Sequence, residues 1–226
     1  MKSLFYRPIK VSGSPDNIFF WSDTHFNHRC EHWQVPLWKA RGFKSVDEHT
    51  EGLINRWNYK ITPDSVAFHL GDFIFGFNSI DNFKSIVQRL NFKELYIMPG
   101  NHNSGWKQVF EEQKGNIWYI NSNKRVIFIP NYLEVVAGNN FLVLSHYPIL
   151  SFNSQAKGAI CLYGHVHGNL AKNEIGQLYK QARTLEVTVE NAAFPLSLRE
   201  VQKAVGNEIV SFDHHTAGTD ELRAVV

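Results

Sequence analysis

The stretch FFWSDTHFNH, residues 19–28, sets an aromatic run against an abrupt carboxylate at Asp23 and an imidazole two residues on at His25. A strand that ends in two such side chains is either a surface accident or half of a metal site. The rest of the chain decides between them. Further strand-like apolar runs are expected at Asn17–Ser22 (which holds the start of the quoted stretch), Ser65–Leu70, Lys93–Met98, Arg125–Ile129, Glu134–Ala137, Phe141–Leu144, Ala159–Tyr163 and Thr184–Glu190. Gly138-Asn139-Asn140 is a turn signal joining two of them into a hairpin. Helical spacing covers Ser45–Tyr59, Ile80–Leu90 and Ser197–Val205; Ser45 with Glu48 and Ser197 with Glu200 stand in capping-box register. The first half alternates strand and helix, and the second half is mostly strands. That order predicts an α/β layered domain with a mixed sheet, or two packed sheets with helices outside.

Nearly every expected strand in the first two thirds ends in a residue that can bind metal. Residues 17–22 run into Asp23 and His25, 65–70 into Gly71-Asp72, and 93–98 through Pro99 into Gly100-Asn101-His102. Residues 141–144 lead to His146, and 159–163 lead through Gly164 to His165 and His167. In open α/β sheets ligands sit outside the carboxyl ends of strands, so these residues are expected to converge on one crevice. In extended chain, residues i and i+2 point the same way, which would aim Asp23 with His25, and His165 with His167, at a common face. Glycines before Asp72, Asn101 and His165 would ease the tight turns out of the sheet.

Four imidazoles, two carboxylates and an amide are too many donors for one tetrahedral ion, but they fill two sites if one carboxylate bridges. Mixed nitrogen and oxygen donors without thiolate favour Mn, Fe, Zn or similar ions over Mg or Ca. Two divalent cations and two carboxylates leave the pocket near +2, which suits an anionic, oxygen-rich group such as a phosphate ester. A pair of such ions can hold a hydroxide nucleophile and clamp both ends of an in-line displacement.

Bulk composition is compatible with this. The 226 residues are 43% hydrophobic and 19% charged, enough apolar material for a sizeable core. A net charge of +2 gives no strong nucleic-acid signal. Cys30 and Cys161 are far apart and form no CxxC pair, so a reducing, cytoplasmic setting is expected. No signal peptide or apolar run of transmembrane length is legible. No linker or repeat divides residues 1–226, which read as a single domain with its motifs in 17–190 and a poorly specified tail at 207–226.

The motifs resemble those of the calcineurin-like metallophosphoesterases, and their longer contexts look like the compact bacterial and phage members. The family pattern is D-x-H, G-D, G-N-H-D/E, a lone H, and G-H-x-H. Here it reads Asp23-Thr24-His25, Gly71-Asp72, Gly100-Asn101-His102-Asn103, His146 and Gly164-His165-Val166-His167. The resemblance implies a four-layer αββα sandwich with two mixed sheets. It assigns Asp23, His25 and His167 to one ion, Asn101, His146 and His165 to the other, and Asp72 to the bridge. It makes His102 the catalytic histidine, placed over the substrate. Asn103 departs from the family's Asp or Glu, and a neutral amide there supports a charged His102 less.

The implied activity is hydrolysis of phosphoesters, with phosphodiesters of small molecules or nucleotides first and phosphomonoesters as the nearest rival. A non-catalytic scaffold that binds metal is the second class. His28 and Asn103 are the candidate substrate contacts, with a solvated loop histidine the plain alternative for His28. Phe26, Trp33, Trp38, Phe73, Phe75 and Phe77 flank the motifs and read either as base-stacking surface or as core. Arg29 and Arg183 read either as partners for a second phosphate or as solvated charge. His32, His49 and His69 read as structural, and His214 and His215 as tail residues.

Overall fold

The computed structural model describes residues 7–29, 35–74, 80–102, 116–172 and 174–208. Eleven strands among them form two mixed sheets. The six-stranded sheet runs in the order β11-β2-β3-β4-β6-β5, with β2 (Ile18–Trp21), β3 (Val66–His69), β4 (Glu94–Ile97), β5 (Ile117–Asn121), β6 (Lys124–Phe128) and β11 (Leu196–Ser197). Its central strands β2, β3, β4 and β6 are parallel, with β11 and β5 antiparallel at the edges. The five-stranded sheet runs β1-β7-β8-β9-β10, from β1 (Ile9–Val11) through β7 (Tyr132–Ala137), β8 (Asn140–Ser145) and β9 (Ile160–Tyr163) to β10 (Thr184–Glu186). Here β8, β9 and β10 are parallel, and β7 pairs antiparallel with β8 across the Gly138 turn.

Strands buried on both faces carry continuous apolar runs rather than alternation, and IFFW of β2, VAFH of β3 and ICLY of β9 are buried at every position. One core lies between the sheets, where Phe20, Phe68 and Leu70 meet Leu142, Leu144 and Leu162. A second core covers the other face of the six-stranded sheet with helices α2 (Val46–Lys60) and α3 (Ile80–Arg89), through Leu53, Trp57, Phe83 and Ile86. Short α1 (Leu37–Ala40) precedes α2, α4 (Glu174–Gln181) lies beside β10, and α5 (Leu198–Val205) buries Leu198 and Val201 in the inter-sheet core.

The capping box at α5 is complete. At α2 it is half formed: the Glu48 N–H donates to Ser45 Oγ, but the Glu48 carboxylate accepts from Lys44 N–H rather than Ser45 N–H. The expected strand over Thr184–Glu190 stops at Glu186, where the chain turns, and Ser22 bridges to Thr188 to tie the two sheets together. Strands β1, β5 and β11 and helices α1 and α4 were not legible from periodicity; β1 has three residues, and α4 leaves its apolar Ile175 and Leu178 in solvent. The Cys161 thiol is buried, while Cys30 lies outside the described residues, as does most of the expected tail. Among the described residues no helix is long and apolar enough to cross a membrane.

Candidate metal centre

The carboxyl ends of β2, β3 and β4 and those of β8 and β9 open at one edge of the two sheets, and the motif residues follow at once. Asp23 (φ 57°), His25 (φ 47°), Asp72 (φ 52°), His165 (φ 72°) and His167 (φ 50°) all adopt the left-handed conformation. The extended-chain rationale for Asp23/His25 and His165/His167 is therefore corrected: each pair is aimed by a left-handed corner, not by strand alternation. Backbone bonds hold two corners together, since the Asp23 N–H donates to the Gly71 carbonyl at 3.0 Å and the His25 N–H to that of Asp72 at 2.9 Å. Gly71 has φ 105°, and a Cβ there would run into the His146 ring. Gly164 serves close approach instead, because its missing Cβ leaves room for Ser22 Oγ and Asp23 Oδ2.

Asp23 is fully buried. Its Oδ2 accepts from Ser22 Oγ at 2.5 Å and from the His165 N–H at 2.9 Å. Its Oδ1 accepts no hydrogen bond among the described residues, and it sits 3.4 Å from His167 Nε2 and 3.9 Å from His25 Nε2. Asp72 Oδ1 accepts from the His102 N–H at 3.0 Å. Asp72 Oδ2 lies 3.7 Å from His25 Nε2 and 3.6 Å from His146 Nε2. Asn101 Oδ1 is 2.9 Å from both His146 Nε2 and His165 Nδ1. Two groups of donor atoms thus fall within coordinating reach, Asp23 with His25 and His167, and Asp23 with Asp72 and His146, the latter continued by Asn101 and His165.

Burial favours neutral imidazoles at His25, His146 and His165 and makes an ionised Asp23 costly unless a cation pairs with it. Burial pushes the Asp23 carboxyl up to about 7, against the opposing charge of His167 and the bonds from Ser22 and His165. Burial, reinforced by the Arg41 charge, drives His25 well below the ordinary imidazole range, and burial also lowers His146 and His165. His146 Nδ1 sits 2.8 Å from the Leu70 carbonyl, which can only accept, so its Nε2 faces Asp72 and Asn101 as a lone pair. Neutral imidazoles, a buried carboxylate oxygen accepting no hydrogen bond and an amide oxygen fit a pair of divalent ions with mixed nitrogen and oxygen ligation.

The remaining expected residues divide. His102 lies at the rim, its ring 5.5 Å from that of His25. His28 is buried, edge-on to His25 at 5.6 Å, so the solvated-loop alternative fails; burial lowers its imidazole to about 4. Phe26 and Phe73 are core residues, while Asn103, His32, Trp33, Phe75, Phe77, His214 and His215 lie outside the described residues. Trp38 is half-buried on α1. Arg29 pairs with Asp47 in solvent, and Arg183 donates to the carbonyls of Gly206 and Glu208. His49 and His69 are buried in α2 and β3, as structural residues would be.

Three side chains escaped the sequence reading. Glu190 Oε1 bonds His167 Nδ1 at 2.9 Å. Its carboxyl is held at about 2: burial opposes this, but the His167 bond and the Arg41 charge outweigh it. His167 in turn is raised, since Glu190 and Asp23 overcome the downward effect of burial. Arg41 bonds Glu190 and the carbonyls of Asp23 and Thr24. Tyr147, half in solvent, sets its ring 4.7 Å from that of His165. Tyr147 was within reach, adjoining His146; the other two carried no local signal.

No family model matches the chain. It is 26% identical over 190 residues to the uncharacterized protein MJ1445 of Methanocaldococcus jannaschii, a match spanning 83% of this chain and 90% of that protein. The crystal structure of AQ665, a protein of unknown function from Aquifex aeolicus, is similar with a TM-score of 0.58 at 23% identity, covering 82% of this chain and 97% of that one. That likeness extends to the fold and no further.

Proposed function

We propose that this chain is a dinuclear metal-dependent phosphoesterase of metallophosphatase-like αββα fold, acting on phosphodiesters of small molecules or nucleotides. The observation that carries the reading is the place of Asp72, whose Oδ2 lies between His25 Nε2 at 3.7 Å and His146 Nε2 at 3.6 Å. A carboxylate so placed is positioned to serve two cations at once. Asp23, His25 and His167 would hold one, and Asn101, His146 and His165 the other. Bound there, the ions would neutralise phosphate charge and make a water acidic enough to attack at neutral pH.

The protein's own residues supply the rest. Asp23, His25, Asp72 and His146 form a dry floor, being essentially fully buried, which keeps local fields strong. His102 stands at the rim, able to give a proton to the leaving-group oxygen. The Asp72–His102 backbone bond at 3.0 Å ties that rim to the floor. Tyr147 offers an exposed ring beside His165 against which a planar leaving group or base can lie.

Metal analysis with turnover on bis-p-nitrophenyl phosphate and p-nitrophenyl phosphate tests the proposal. The expected result is two equivalents of transition metal and diester turnover that chelation abolishes. Two bound ions with no hydrolysis of either ester would favour the scaffold. A protein that takes up no ion would end the proposal.

A further inference from the structure

Arg41 follows α1 and is remote from every motif in sequence, yet its side chain is only 5% exposed. All three guanidinium nitrogens are engaged. Nε and Nη2 donate to Glu190 Oε1 at 2.9 and 2.7 Å, and Nη2 also donates to the Asp23 carbonyl at 2.7 Å. Nη1 donates to the Thr24 carbonyl and to His49 Nε2, both at 3.0 Å. The two carbonyls belong to the left-handed corner that carries Asp23 and His25. Glu190 Oε1 takes the other direction and accepts from His167 Nδ1 at 2.9 Å. One cation thus touches the backbone of Asp23 and of Thr24, which links it to His25, and, through one carboxylate oxygen, the ring of His167.

We infer that Arg41, both directly and through Glu190, is a positioning residue for the Asp23–His25–His167 group, fixing the corner and holding His167 as the Nδ1–H tautomer with its Nε2 lone pair toward Asp23. The inference rests on the metal-centre reading above. A carboxylate bonded to the far nitrogen of a ligating imidazole orients the ring and makes it a stronger donor, and losing such a partner typically weakens metal binding about 10–100-fold. Arg41 makes no hydrogen bond to Asn101, His146 or His165 among the described residues, and that group meets the corner only through Asp23 and Asp72, so it should be affected less. A lysine cannot reproduce the arrangement, because one ammonium does not present three nitrogens in a plane.

The experiment titrates Mn²⁺ into the metal-free full chain by calorimetry, for the wild type, R41M, R41K and E190A, with histidine tautomers read by ¹⁵N NMR before metal is added, at a pH high enough to leave His167 neutral. The expected result is affinity reduced about 10–100-fold at one of two sites in all three variants, with a smaller loss at the other. The His167 signal should move from Nδ1–H in the wild type toward Nε2–H in E190A and R41M. Equal weakening of both sites in variants that fold, or two unaltered sites with an unaltered tautomer, overturns the inference. Glu190 is partly exposed, so E190A keeps the test open if the Arg41 variants do not fold. A wild type that binds no Mn²⁺ overturns the metal reading itself, while the tautomer still decides whether Arg41 and Glu190 position His167.

Discussion

Replacing Asp23 with asparagine should make the metal-free protein more stable while destroying one ion site. The carboxyl moves from 3.8 to about 7 on folding, chiefly through burial. Each unit of such a shift is worth about 1.4 kcal/mol, so at pH 7 an ionised unfolded carboxylate set against a half-protonated folded one costs the fold about 4 kcal/mol. Asparagine removes that cost and keeps the bonds. Its carbonyl can accept from Ser22 Oγ and the His165 N–H, as Oδ2 now does. Its amide nitrogen would sit where Oδ1 lies, 3.4 Å from His167 Nε2, and can donate to that lone pair. With some loss to imperfect fit, the expected gain is about 2–4 kcal/mol at pH 7. The sign is fixed by linkage: an acid whose folded pKa is raised destabilises the fold above its unfolded pKa, so the gap should close as pH falls from 7 toward 4. Urea denaturation in EDTA at several pH values measures it, and a repeat in saturating Mn²⁺ should reverse the order. An Asp23→Asn protein less stable than wild type in EDTA, or a gap that widens on acidification, would refute the reasoning.

His69 is fully buried, and burial takes its imidazole to about 3, so the unfolded chain binds a proton that the fold refuses between pH 6.5 and 3. Stability contributed there is present above pH 6.5 and falls with acid by about 1.4 kcal/mol per pH unit; His69→Gln should lower the slope of wild-type stability between pH 6 and 5 by that amount, and an unchanged slope would count against it. Gly164→Ala would press a Cβ onto Asp23 Oδ2 and Ser22 Oγ; overpacking of this kind should cost about 1–3 kcal/mol in denaturant midpoint and weaken Mn²⁺ binding, and a neutral result would mean the corner yields. His102→Ala should reduce hydrolysis of an alkyl phosphodiester about 10²–10⁴-fold and of an aryl one far less, because only the poor leaving group needs its proton; equal losses would remove His102 from that role.

The central strands were legible because burial on both faces writes itself as unbroken apolar sequence, as in IFFW before Asp23 and ICLY before His165. Their ends were legible for the same reason, since a carboxylate or imidazole after such a run is conspicuous. What the sequence could not give was the aim of those side chains: His25 and His167 point inward from left-handed corners, and no side-chain pattern encodes φ. Nor did it give Glu190, which followed a β-rich run and read as its last residue until the chain was seen to turn after Glu186. Arg41 contacts Asp23 across 18 residues through its carbonyl, and a partner that recognises a peptide group leaves no trace in residue identities. His28 was ambiguous because the burial of a loop histidine is set by tertiary packing that its neighbours in sequence do not show.

The cluster of left-handed corners restricts how this pocket can be altered. Outside glycine, such a backbone costs roughly 1–2 kcal/mol per residue and is least unfavourable for asparagine, aspartate and their like. On the proposed reading, Asp23, His25, Asp72, His165 and His167 therefore answer to two requirements at once, a donor atom and a tolerable main chain. Asparagine or glycine at these points would keep the main chain with little disturbance, whereas valine or isoleucine would strain it. Inactive versions made in the laboratory should follow the same route, so that a lost ligand is not mistaken for a broken scaffold.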